Sequence, residues 1–580
     1  FTMEKAELKK LIEVAAGRRK ADLVLKNCKV VNVFSGRIEE GDVAISDKWI
    51  AGVGKYEGEK EIDAQGRYAA PCYIDSHIHI ESSYVCPEEL GKLLVPHGTS
   101  TIIADPHEIV NVCGIKGLDY MMEAAKNTAL DIKYMLPSCV PSTPFENAGA
   151  VINAPEMEEP IMRDNILGLG EFMNSVGVIQ CDDSVLDKLM VAKKAGKLID
   201  GHAPATFGKN LNAYCAARIL ADHECATVDE MEDRIDNGMY VLLRQGSACH
   251  NLRTLLKGVT PENSRRCLLC SDDRQPKTIL EEGHLDNHLK ICVEEGIDAV
   301  TAIRMATLNA AECFGLKDKG AIAPGYAADI VLLNDLIDFK AEQVFLGGKL
   351  TAEAGEYLPK VERYSIDSVK GSVVLKDFSA DKFKMHLKSN KVNVIQILPG
   401  GVVTGKTTAE IRLDKDGEFI YNPDEDIVKV AVVERHHMTG NVACAFLKGY
   451  GLKKGAVAIS IAHDSHNIIV AGTSDEEMEA AVLHLKEQEG GIVLVKDKQV
   501  IESMPMPIAG LMSEKSGEWV KDKLTSIHNV ARNELGIHGE VDPVMTLCFM
   551  SLPVIPDLKL TDEGLFDVTK FSFISVEADE

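Results

Sequence analysis

None of the apolar runs in this 580-residue chain reaches the 18 or so residues that a membrane-spanning helix needs. An excess of basic charge is missing too. Lys and Arg total 63 against 89 Asp and Glu, a net charge of −26. A nucleic-acid partner would call for a basic patch, so that class of function is excluded, and the acidity serves solubility. The charged first twenty residues hold no apolar signal core. Phe1-Thr2 reads as an addition ahead of a start at Met3. A disulfide framework is absent, because the 15 cysteines are odd in number and scattered. That usage suits a reducing cytosol, and the expected location is cytoplasmic. Internal repeats and low-complexity tracts are absent as well. What is present is an ordinary 45% hydrophobic content, enough for a sizeable core. The length suggests two to four domains, and a homo-oligomer would be usual for a large soluble enzyme.

Three regions differ in rhythm. Residues 1–70 contain short apolar strands such as 21–25 and 29–33, punctuated by glycines, and 320–360 repeat that pattern. The two flanks together predict one small antiparallel β domain, a β-sandwich. Between them, over 71–319, short β-branched runs alternate with helical stretches. Eight candidate strands end near 75–79, 104, 135, 169–171, 199–201, 221, 241–243 and 269–271. Most intervals are about 20–35 residues, which fits a (β/α)8 TIM-like barrel of about 250 residues. Strand six, over 217–221, also reads as helix. From 361 to 580 the chain starts again as an α/β or α+β domain, with strands at 428–433, 457–462 and 491–495 and a helix over 475–488.

In such a barrel the chemistry sits at the C-terminal ends of the strands. Strand one ends in Asp75-Ser76-His77-Ile78-His79. Residues i and i+2 of a strand face the same side, so both imidazoles can grip one ion. An unlinked histidine pair would look the same, and the other strand ends decide the matter. Strand four ends at Glu171, strand five at His202, strand six at His223 and strand eight at Asp272-Asp273. Nitrogen and oxygen donors in this mixture suit borderline divalent ions. A carboxylate such as Glu171 has two oxygens with which to bridge two of them.

The segment Pro71-Cys-Tyr-Ile-Asp-Ser-His-Ile-His-Ile-Glu-Ser-Ser83 resembles the opening motif of the amidohydrolase superfamily. Its Ile-Glu-Ser-Ser ending is similar to the bacterial adenine deaminase branch. So are 104–108, 168–174, 200–204, 271–274, 305–311, 435–437 and 463–466. Cys72-Tyr73 departs from the Gly-Phe or Gly-Leu common there. The resemblance implies Glu171 as the metal bridge where many relatives have a carboxylated lysine. It also implies two divalent ions, iron(II) or manganese(II) with zinc(II) as a third candidate, and a purine substrate. His107 would bind substrate or metal, or serve structure. Glu81 would orient a ligand imidazole or face solvent. Asp273 would bind substrate or support a ligand, and His436, His437, His463 and His466 would help close the site or pack locally.

On this reading a hydroxide shared by two ions attacks C6 of adenine, with Asp272 as both ligand and proton carrier, giving hypoxanthine and ammonia. The alternatives are a cyclic amide hydrolase of the hydantoinase or dihydropyrimidinase kind, and a non-catalytic scaffold that kept the barrel. Two patterns are set aside. Cys267-Leu-Leu-Cys270 lies in an apolar strand and reads as core. His284 and His288, one helical turn apart, lack the glutamate of a zinc helix and read as structural, or at most as supports behind the metal ligands.

Overall fold

The computed structural model describes residues 3–537 and 539–579, which leaves Phe1-Thr2 outside. At its centre eight parallel strands alternate with helices: β1 (Tyr73–Ile78), β2 (Thr99–Ala104), β3 (Asp131–Leu136), β4 (Ile166–Phe172), β5 (Leu198–Gly201), β6 (Ala221–Asp222), β7 (Tyr240–Arg244) and β8 (Cys267–Cys270). Hydrogen-bonded ladders join β1 through β5 and β6 through β8. Two seams close the ring. Leu220 N–H donates to Ile199 at one, and Asp272 N–H donates to His77 at the other. Ile74, Ile103, Met135, Leu242 and Leu268 pack with Phe314 of the helix Leu308–Phe314. This apolar filling leaves the polar strand ends at the opposite mouth.

β6 is the weak strand that its sequence suggests. The helix Gly208–Ala216 runs close to it, and a turn with Arg218 at φ +63° leaves room for two strand residues only. The ends of β1 and β2 do not follow plain alternation. Their register shifts between Asp75 and Ile78. Asp75 accepts hydrogen bonds from Ser271 Oγ and from His284, while His77 and His79 serve the mouth.

Both flanks of the barrel share one nine-stranded sheet that includes Ala21–Val31, Ile38–Ser46, Tyr68–Pro71 and Ile330–Leu333. The sequence pattern suggested antiparallel pairing throughout, but Ala21–Val31 pairs parallel with both Gly58–Asp63 and Tyr68–Pro71. The turn at 55–57 causes this by carrying the chain from Trp49–Gly54 to the other side of the first strand.

The C-terminal region is α+β. Its eight-stranded sheet is antiparallel except where Lys391–Ile397 meets Val442–Lys448. The helix Asp475–Glu487, capped by Ser474, packs on that sheet. This region meets the barrel through the loop after β3. Asn467 donates to the Asn147 carbonyl, His437 to that of Ala148, and Thr561 to that of Phe145. His107 and Glu108 add contacts to Asp464 and His463, so the C-terminal region lies against the barrel mouth. Among the described residues no helix is long and apolar enough to cross a membrane.

Candidate active site

Glu171, next to last in β4, lies at the centre of the mouth. Its Oε2 is 2.9 Å from His223 Nε2, 3.4 Å from His202 Nδ1 and 3.5 Å from His77 Nε2. Its Oε1 is 3.6 Å from His79 Nε2 and 3.4 Å from His107 Nδ1. Each carboxylate oxygen thus faces its own set of imidazoles. Glycine is required just before it, since a Cβ at Gly170 would collide with the Asp105 carboxylate. That carboxylate in turn accepts the Glu171 N–H at 2.9 Å.

Asp272 closes the other side. Its Oδ1 is 3.2 Å from both His77 Nε2 and His79 Nε2. It adopts φ +63°, a strained left-handed conformation for a residue with a side chain. Backbone bonds hold it there: Asp272 N–H donates to the His77 carbonyl, and His79 N–H donates to the Asp272 carbonyl, both at 2.8 Å.

Burial would raise the carboxyl pKa of both acids, but the surrounding histidines, with Arg244 beside Asp272, hold Glu171 and Asp272 well below the usual range. Burial and His107 would lower the His79 pKa, yet the facing carboxylates raise it to about 10. The clustered carboxylates and imidazoles thus each favour the charged form of the other.

The contacts are close but poorly aligned for hydrogen bonding. Glu171 Oε2 and His202 Nδ1 have no hydrogen-bond partner although both are buried. Buried polar atoms are rarely left so. Lone pairs that converge without donating to one another are what a metal centre requires, and the donors fit one. His77, His79 and Glu171 form one candidate ligand group. His77, His223 and Asp272 form a second, and Glu171, His202 and His223 a third.

The remaining expected residues fall in different places. His107 joins the ring of imidazoles, with its Nε2 3.5 Å from Asp464 Oδ1. Glu81 is buried rather than solvent-facing, and its Oε2 accepts the Ile109 N–H. The Asp105 carbonyl, not Glu81, takes the hydrogen bond from His79 Nδ1. Asp273 accepts the Ala248 N–H, and burial beside Asp272 pushes its pKa up to about 7. His463 lies on the cavity wall, 2.9 Å from Glu108 Oε1. His436 and His437 stand outside the cavity and donate to the carbonyls of Ser465 and Ala148. His284 and His288 are fully buried, bonded to Asp75 and to the Cys270 carbonyl.

Sequence reasoning missed Arg244, Glu224, Asp200 and Asp464. Arg244 Nη1 lies 2.7 Å from Glu224 Oε1 and 3.1 Å from Asp272 Oδ2. Glu224 Oε1 is 3.3 Å from His223 Nε2 and 3.4 Å from His202 Nδ1. Asp200 Oδ2 stands 3.5 Å from His77 Nδ1. The signal for the first three was their place at a strand end. The signal for Asp464 was its place in the family-like segment 463–466, between the two histidines considered there.

Above these residues opens a cavity of about 890 Å³. Barrel residues line its floor, and Ile461, Leu511, Phe549 and Leu552 from the C-terminal region form an apolar wall.

Two family models match the chain: the amidohydrolase family over residues 68–351 and the adenine deaminase C-terminal domain over 401–572. Adenine deaminase 2 of Desulfotalea psychrophila is 65% identical over 99% of this chain and 100% of its own. An adenine deaminase of Ligilactobacillus salivarius is 53% identical over the full length of both. With barrel, mouth and C-terminal region all matched, the chain belongs to the adenine deaminase family.

Proposed function

We propose that this chain hydrolyses adenine to hypoxanthine and ammonia. The observation that carries the reading is Glu171, whose two oxygens each face separate imidazoles beneath a cavity with an apolar wall. Support for adenine comes from full-length relatives that bear that name. His77, His79, Glu171, His202, His223 and Asp272 would hold two divalent ions, manganese(II) or iron(II) with zinc(II) as a further candidate. Such ions lower the pKa of water from about 16 to about 7 and so supply a nucleophile at neutral pH.

The protein's own groups do the rest. Asp272 Oδ1 takes up a proton and returns it to the ring or to the departing amine, since one positioned carboxylate can serve as base and then acid. Arg244 occupies Asp272 Oδ2 and so fixes which oxygen faces the reaction. The apolar wall excludes water and holds a flat ring. Glu81 and Asp273, whose pKa values burial pushes up to about 7, offer polar atoms to the ring edge.

In this reading 71–319 is the catalytic unit, 1–70 with 320–360 its supporting β domain, and 361–580 the cover of its mouth. All 15 cysteines are free thiols, in keeping with a reducing cytoplasm. The test is ammonia release from metal-loaded protein offered adenine or adenosine, run beside ring opening of hydantoin to its N-carbamoyl acid, which liberates no ammonia. Release from adenine supports the reading. Turnover of hydantoin with none of adenine would replace it by a cyclic amide hydrolase.

A further inference from the structure

Glu108, His463 and His466 form a second cluster that the proposed reaction does not use. Their ligand atoms all lie within 4.8 Å of one another. Glu108 is on the helix His107–Cys113 that follows β2, while His463 and His466 come from the C-terminal region, between the strands Ala456–Ile459 and Ile468–Gly472. The three therefore meet across the boundary between barrel and cover.

An ion pair accounts for two of them. His463 Nδ1 is 2.9 Å from Glu108 Oε1, and Ser82 Oγ donates to the same oxygen at 3.1 Å. It does not account for His466, which is fully buried with neither ring nitrogen hydrogen-bonded. Every neutral imidazole carries one donor and one acceptor, and burying both without partners is unfavourable. The backbone holds the residue firmly in place. His466 N–H donates to the Ala462 carbonyl, Arg435 Nε donates to the His466 carbonyl at 2.6 Å, and φ is +56°. With neither nitrogen bonded, the ring has a lone pair free beside the Glu108–His463 pair. A neutral ring is the form that binds metal.

We propose that Glu108, His463 and His466 hold a third divalent cation, which ties the barrel to the C-terminal region at the edge of the substrate cavity. Two imidazole nitrogens and a carboxylate oxygen suit a borderline ion such as zinc(II). Three protein donors leave a coordination position open, and Glu108 and His463 both line the cavity. The claim does not depend on the ions assigned to Glu171.

The probe is zinc(II). Protein stripped of metal is reloaded, freed of excess zinc by desalting, and its ions per chain are counted. The wild-type chain should hold one ion more than His466→Ala, and equal counts would overturn the proposal. Should His466→Ala lose its cooperative thermal transition, the count for Glu171→Gln decides instead. One ion retained there and released on adding His463→Gln supports the site; none retained, or one that His463→Gln leaves bound, overturns it. A Glu171→Gln count equal to wild type, with one ion lost in His466→Ala, would leave the third site standing and remove the Glu171 reading.

Discussion

Asp272 is tied to His77 twice, since its backbone N–H donates to the His77 carbonyl at 2.8 Å and its Oδ1 stands 3.2 Å from His77 Nε2. One bond closes the barrel and the other builds the site, so folding itself sets the distance between strands one and eight at the mouth. Asp272→Asn should preserve the backbone bond and most of the bound metal but remove the proton carrier. We expect kcat to fall by about 10²–10⁴-fold, the usual contribution of a positioned acid or base. Steady-state kinetics with metal analysis on the same sample check this.

Arg244 acts through Asp272 and Glu224 rather than on substrate. Arg244→Met would leave the half-buried Asp272 Oδ2 without its partner. Such supporting groups typically contribute about 10–100-fold in activity or metal affinity. A fall of that size is expected for Arg244→Met. Arg244→Lys should recover part of it by restoring the charge without the two-pronged geometry. Comparing kcat and KM across the three proteins is the measurement.

Glu171→Gln should be the most damaging single change at the mouth. Glutamine offers one carbonyl oxygen where glutamate offers two charged ones, so neither set of imidazoles keeps its carboxylate oxygen. The expected result is loss of the two ions around His77, His79, His202 and His223, with adenine turnover at background. Ion counts by mass spectrometry, set beside wild type, test it.

Lys559 takes no part in this chemistry but makes a pH prediction. It is fully buried, donates to the Val402 carbonyl at 2.7 Å, and burial pushes its pKa down from 10.5 to about 7. Below about pH 7 the folded chain bears the whole cost of a buried charge that the unfolded chain avoids. Between about 7 and 10.5 the folded chain releases that proton first, so stability rises with pH through this window. Lys559→Met removes the group. The melting temperature of wild type should therefore climb relative to the variant as pH goes from 7 to 9. A constant difference across that range would contradict the assignment.

Much of the barrel was legible in the sequence because its strands are short, β-branched and bounded by turns, as Thr99–Ala104 shows. The His77-Ile-His79 spacing, Glu171, His202, His223 and Asp272 could be read for the same reason, since each sits at a strand end. Other features depend on three-dimensional convergence. Arg244 looked like any arginine after an apolar strand until β6 and β8 placed Glu224 and Asp272 beside it. The parallel pairing of Ala21–Val31 with Gly58–Asp63 depends on a crossover at 55–57 that local pattern does not encode. His436-His437 and His463 looked equivalent in sequence, yet the fold turns only His463 to the cavity. Local spacing identifies ligands borne on one strand, whereas partners brought by a separate domain appear only when the domains meet.

The most direct test of the central claim is adenine turnover before and after metal removal. Manganese-loaded protein should release hypoxanthine and ammonia one for one, should stop when a chelator strips it, and should resume when manganese(II) is restored. Undiminished turnover by metal-free protein, or none by protein that holds two ions at the Glu171 site, would contradict the account.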